Sequence, residues 1–91
     1  MYYYTIAEMK FIAEIDIMPI KEILDPQGKA VMLGLHNLEI DQVNDVRIGR
    51  HITLTLDTET QEQADQIVQT ACQKLLANLI MEEFTYSIKA V

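Results

Sequence analysis

The strictest constraint in this chain is a period of two. From Met9 to Met18, Phe11, Ala13, Ile15 and Ile17 occupy alternate positions, separated by Lys10, Ile12, Glu14, Asp16 and Met18, the pattern of a strand with one face turned to a core. Such a strand needs partners at its edges and a cover for its apolar face. The remaining elements must supply both.

Two helices are expected to provide the cover. Asp25 stands before Pro26; an Asp side chain can accept from free first-turn amides, and proline presets φ at the first helical position, so a helix should run from Pro26 to about Leu38. Its stripe is Ala30, Val31, Gly34, Leu35 and Leu38, with Gly34 expected to let the helix approach the sheet closely. The second helix has two candidate capping boxes, Thr58 with Gln61 and Thr60 with Gln63. After them, Ala64, Ile67, Val68, Ala71, Cys72, Leu75 and Leu76 repeat at helical spacing. Asn78 is expected to close this helix in the left-handed conformation.

Val43–Ile48 and His51–Asp57 read as two short strands joined at Gly49 in a hairpin, and Phe84, Tyr86, Ile88 and Ala90 alternate in a last strand. The order is β-α-β-β-α-β, which predicts an α+β, ferredoxin-like fold: a four-stranded antiparallel sheet with two helices on one face. The open face would carry Ile12, Glu14, Asp16, Met18, Thr53, Thr55, Thr85 and Ser87, few charges for a solvated surface, and is expected to pack on a second subunit. At 91 residues, without a linker or repeat, a single domain 1–91 is expected, with 1–8 as an N-terminal extension. Tyr2, Tyr3 and Tyr4 lie in that extension.

Composition narrows the function. Seven Lys and Arg against fourteen Asp and Glu give a net charge of -7, which repels a phosphate backbone, so nucleic acid is not an expected partner. An RNA-binding module of this topology would also place aromatics on the open face, where this chain offers Ile12, Glu14, Asp16, Thr53 and Thr55. No apolar run approaches the roughly 18 residues of a membrane span. With one cysteine and no secretory cleavage pattern, a cytoplasmic location is expected.

No catalytic or metal-binding constellation is expected. Cys72 sits in an apolar helical stripe without an activating cation, His36 and His51 lack metal-ligand spacing, and Ser87 has no strand-turn-helix elbow around it. Asp57, Glu59 and Glu62 read as a solvated face at a helix start. An acylphosphatase-like enzyme would need an arginine after the first strand, where Lys21 and Glu22 stand.

Two segments stand out. Asp25-Pro26-Gln27-Gly28 opens the first helix, and Arg47-Ile48-Gly49-Arg50-His51 gathers both arginines of the chain beside a histidine. The second reads either as a solvent-facing turn or as a receptor for an acidic patch or a phosphate.

These two segments, the second extended to Val43-Asn44-Asp45-Val46-Arg47-Ile48-Gly49-Arg50, are followed by Cys72-Gln73-Lys74-Leu75-Leu76-Ala77-Asn78 and then Glu82-Glu83-Phe84. In this order they closely resemble the PurS-type small subunit of phosphoribosylformylglycinamidine synthase, from about Phe11 to Ile88. Arg50 replaces a lysine frequent in that family, Leu79 replaces a common proline, and the segment before Phe11 is longer.

The resemblance implies a homo-oligomer, dimer or tetramer, without an active site of its own. It would bridge a glutaminase subunit that releases ammonia and a synthetase subunit that uses ATP and magnesium, in de novo purine biosynthesis. No cofactor is expected on this chain. Asp25, Pro26, Gln27, Gly28, Arg47, Gly49 and Arg50 are the expected contact or shape-setting residues. The alternative is a dimeric module that senses a small ligand between subunits.

Overall fold

The structure, a computed structural model, describes residues 8–91. The N-terminal extension through residue 7, with Tyr2, Tyr3 and Tyr4, lies outside the described residues. The elements are β1 (Met9–Pro19), α1 (Pro26–Asn37), β2 (Arg50–Thr58), α2 (Gln61–Ala71), a π-helical turn (Cys72–Leu76) and β3 (Glu82–Ala90). The sheet is antiparallel with β1 in the middle, in the order β2-β1-β3. Among the described residues no helix is long and apolar enough to cross a membrane.

The alternation of β1 decides which face is buried. Phe11, Ala13, Ile15 and Ile17 are fully buried, and the register sets Ile15 opposite both Ile52 and Tyr86, and Ala13 opposite Leu54 and Ile88. Onto this face α2 and the turn after it bring Ala64, Val68 and Cys72. Burying side chains such as Phe11, Ile15, Ile17 and Val68 contributes about 1.5–3 kcal/mol each. Cys72 is a buried free thiol whose pKa is raised by burial, in keeping with a packing role. The Tyr86 hydroxyl lies within hydrogen-bond distance of Asp65 and Gln69, and burial together with the Asp65 carboxylate pushes its pKa up to about 12.

The expected four-stranded sheet is corrected to three strands among the described residues. Val43–Ile48 is irregular, and it forms no hairpin with β2. Its backbone is engaged elsewhere: the Val43 carbonyl accepts from His36 Nε2 at 3.1 Å, and the Ile48 amide donates to Asp25 Oδ2 at 2.8 Å. The segment is therefore drawn to the flank of α1 and away from the sheet edge. Gly49 does not take a positive φ, so it is not the turn glycine expected of a hairpin.

The placement of two helices on one face is corrected as well. Among the described residues, only α2 covers the sheet. In α1, Gly28 alone is buried, Leu33 is 62% exposed, and Leu38 just beyond it is 71% exposed. A Cβ on Gly34 would meet nothing within 4 Å, so that glycine makes no close approach among the described residues.

The helix ends follow their own chemistry. Thr60 is the N-cap of α2 and accepts from Gln63 N, while the Gln63 side chain accepts from Glu59 N, so the second candidate box is the one used. Asn78 does not close the helix in the left-handed conformation. Ala77 is extended after a π turn in which its amide donates to the Cys72 carbonyl, and the Asn78 side chain accepts from Ile80 N. The left-handed residue is Glu39, φ 64°, past the end of α1, where Ile40 N donates to Leu35 O and Glu39 N to His36 O.

Candidate functional site

The two segments singled out in the sequence meet in space. Asp25 caps α1, with Oδ1 accepting from Gly28 N at 2.9 Å, and its other oxygen accepts from Ile48 N. One carboxylate thus joins a helix start to a strap of irregular chain 23 residues away. These amide bonds, that from Gly28 foremost, hold the Asp25 pKa below the usual carboxylate range.

Two glycines give the strap its path. A Cβ on Gly28 would lie 2.0 Å from the Val46 carbonyl oxygen, and one on Gly49 would lie 2.3 Å from the Ile17 carbonyl oxygen. Both contacts are with backbone that cannot step aside as a side chain would. The strap passes between the first turn of α1 and the end of β1 because neither glycine carries a side chain.

The two arginines part company. Arg50, at the start of β2, is bidentate to Glu82 at the start of β3, with Nη2 at 2.9 Å from Oε1, and donates also to the Leu76 carbonyl at 2.6 Å. Glu82 Oε1 accepts in addition from Asn78 N at 2.8 Å. This clamp fixes the loop between α2 and β3. It raises the Arg50 pKa and lowers that of Glu82, each chiefly through their mutual hydrogen bond.

Arg47 faces the other side of the strap. It lines a cavity of about 630 Å³ together with Lys21, Glu22, Asp25, Lys29 and Asp45. Its Nη2 is buried and without a hydrogen-bond partner among the described residues. Pro26, Gln27, Gly49 and Arg50 line a second cavity of about 570 Å³, bounded by Met81 and Glu82. The seven residues picked out in the sequence are therefore brought to one region: six are divided between its two sides, with Asp25 on both, and Gly28 lies against the strap at the Val46 carbonyl.

Sequence reasoning missed Lys21, Lys29 and Glu82 as members of this region. Lys21 and Lys29 flank Asp25 closely and carried a signal in their proximity. Glu82 is 32 residues from Arg50, and no spacing rule links them.

A separate polar cluster occupies the open face of the sheet. The register sets His51 opposite Asp16 and Thr53 opposite Glu14. His51 Nδ1 bonds Asp16 Oδ1 at 2.6 Å, its Nε2 bonds Glu14, and Thr53 donates to the same Glu14 oxygen at 2.9 Å. Both ring nitrogens face carboxylates, so both donate and the ring is held as the imidazolium. The bond to Asp16, then that to Glu14, raises the His51 pKa.

Comparison with known proteins bears on the whole chain. The model of the family described as "PurS: Phosphoribosylformylglycinamidine (FGAM) synthase" matches residues 12–90. The phosphoribosylformylglycinamidine synthase subunit PurS of Bacillus subtilis is 39% identical over 71 residues, 78% of this chain and 83% of that protein. Its namesake in Synechocystis is 44% identical over 69 residues, 76% and 69%. Among solved structures, a chain of the PurLQS structure from Thermotoga maritima superposes with a TM-score of 0.77 at 30% identity, covering 90% of this chain and 98% of that one. A family match across almost the whole described chain, relatives of nearly the same length and a shared fold agree with one another: this chain belongs to the PurS family of phosphoribosylformylglycinamidine synthase.

Proposed function

We propose that this chain is the small, non-catalytic subunit of phosphoribosylformylglycinamidine synthase in purine biosynthesis, bridging the glutaminase and the ATP-dependent synthetase subunits and supporting ammonia transfer between them. The observation that carries the reading is the family match over residues 12–90 together with the likeness to a chain of the Thermotoga maritima PurLQS structure. ATP and magnesium belong to the synthetase partner and the chain acts in the cytoplasm. The physical need for a bridge is plain: ammonia that escapes to water is protonated and no longer a nucleophile, whereas docked subunits exclude solvent between their sites.

The chain acts as a homo-oligomer, dimer or tetramer. Support comes from α1 and the chain around it, where Leu24, Val31, Leu38 and Ile40 are exposed large apolar residues. A second copy of the chain is the occupant we assign to this surface, since an uncovered stripe on a 12-residue helix forfeits the burial that stabilises helices.

The deciding experiment mixes the purified chain with separately purified glutaminase and synthetase and compares glutamine-dependent with ammonia-dependent product formation. Leaving the chain out should abolish the glutamine-dependent rate while the ammonia-dependent rate persists. An unchanged glutamine-dependent rate without it rules the bridging role out.

A further inference from the structure

Ile67 belongs to the apolar stripe of α2, yet it is 50% exposed. It lines a groove of about 720 Å³ between α2 and the end of β2, together with Thr70 and Ala71 on its own helix and Glu8, Asp57 and Glu59 across from it. Among the described residues no cation lines this groove. Apolar surface bordered by three carboxylates disfavours an acidic occupant and suits an uncharged, partly apolar one.

The chain supplies such an occupant at this very place. The described chain begins at Glu8, which lines the groove. The segment before it, residues 1–7, has no charged side chain and holds Tyr2, Tyr3 and Tyr4. Among the described residues the sheet offers it no continuation: β1 pairs as far as Met9 with Thr58 on one side and Phe11 with Ala90 on the other, where Val91 N adds a last bond to the Lys10 carbonyl. Seven extended residues reach about 23 Å, well beyond the roughly 12 Å that α2 rises from Gln63 to Ala71. Side chains alternate along an extended segment, so at least one of three consecutive tyrosines faces the groove whichever way the segment is turned.

We propose that this groove is the seat of the chain's own N-terminal segment, residues 1–7, with a tyrosine ring against Ile67 and Ala71. A phenol suits the place twice over: its ring covers apolar surface, and its hydroxyl bonds to the polar groups that Gln66 and Thr70 bring there. The segment thereby closes the flank of α2 that exposes Ile67. Neither partner subunit takes part, so failure of this assignment leaves the bridging role untouched.

The test is nuclear Overhauser spectroscopy on the full chain with labelled methyl and aromatic groups. The expected result is contacts from the ring protons of Tyr2, Tyr3 or Tyr4 to the methyls of Ile67 and Ala71 within one chain. Tyr2→Ser, Tyr3→Ser and Tyr4→Ser combined should shift the Gln66, Ile67, Thr70 and Ala71 resonances, leave those of Ile15 in place, and lower the thermal midpoint by about 5 °C. Ile80→Ser, at a position 84% exposed in the loop before β3, should do neither.

Tyrosine rings without contacts to α2, or the same shifts on Ile80→Ser, overturn the assignment. So do contacts found only between labelled and unlabelled chains in a mixed sample, which give the groove to a second copy.

Discussion

Asp25 and Ile48 are joined by a hydrogen bond of 2.8 Å from the backbone amide of one to the carboxylate of the other, while the second carboxylate oxygen caps α1 through Gly28. This makes Asp25 a two-sided fastener, and the two sides separate chemically. Asparagine is as good an N-cap as aspartate but has one acceptor oxygen. Asp25→Asn should therefore keep α1 and release the strap: the thermal midpoint falls by roughly 5 °C, and hydrogen exchange at the Ile48 amide accelerates while that at Gly28 does not. Asp25→Ala should expose both amides and cost more.

The two glycines of the strap predict clashes with fixed backbone. Gly28→Ala places a methyl 2.0 Å from the Val46 carbonyl oxygen, and Gly49→Ala places one 2.3 Å from that of Ile17. Each should destabilise by about 1–3 kcal/mol, the usual cost of forcing packed backbone apart. Urea denaturation of each variant measures this, and stability within error of the parent would show that the strap can shift freely.

His51 gives stability a pH dependence. Its folded pKa is raised above 6.5, so its contribution is fully present below that value and is lost as pH rises through the folded pKa. Glu14, lowered from 4.5 mainly by its bond to His51, contributes above 4.5 and loses this as pH falls through its folded pKa. The cluster is therefore strongest between the two. His51→Gln should reduce the thermal midpoint most near about pH 6 and very little near about pH 9. Proton NMR of the imidazole should give a titration midpoint above 6.5 that Asp16→Asn lowers.

The exposed side of α1 predicts its own partner. Val31→Glu and Leu38→Glu alter residues that make no part of the core, so far-UV circular dichroism should be unchanged. If a second copy covers this surface, light scattering should show the mass falling to that of one chain. A parent chain that is already monomeric, or variants that keep the parent's mass, would remove that assignment.

What the sequence made legible was what depends on neighbours in the chain. The alternation in β1 and β3 and the stripe of α2 are local periodicities, and the buried residues Phe11, Ala13, Ile15, Ile17, Val68 and Cys72 follow directly from them. The fourth strand was misread because Val43, Val46 and Ile48 are apolar without keeping a period of two, and because Asp25 takes the Ile48 amide across 23 residues. Periodicity identified the stripe of α1 but not what it faces. The arginine pair was visible as a pair; that Arg50 is held by Glu82 and Arg47 is not depends on contacts that no spacing encodes.

The π turn after α2 places five residues where an α-helix closes a turn with fewer, and Cys72 and Ala77 are buried at its two ends. In a regular helix, five positions would carry Ala77 about 140° around from Cys72 and off the core. The wider turn brings it back, and leaves Leu75 81% exposed as the surplus position. Closing this turn as a regular α-helical one would take one residue fewer and still leave Ala77 on the same side as Cys72.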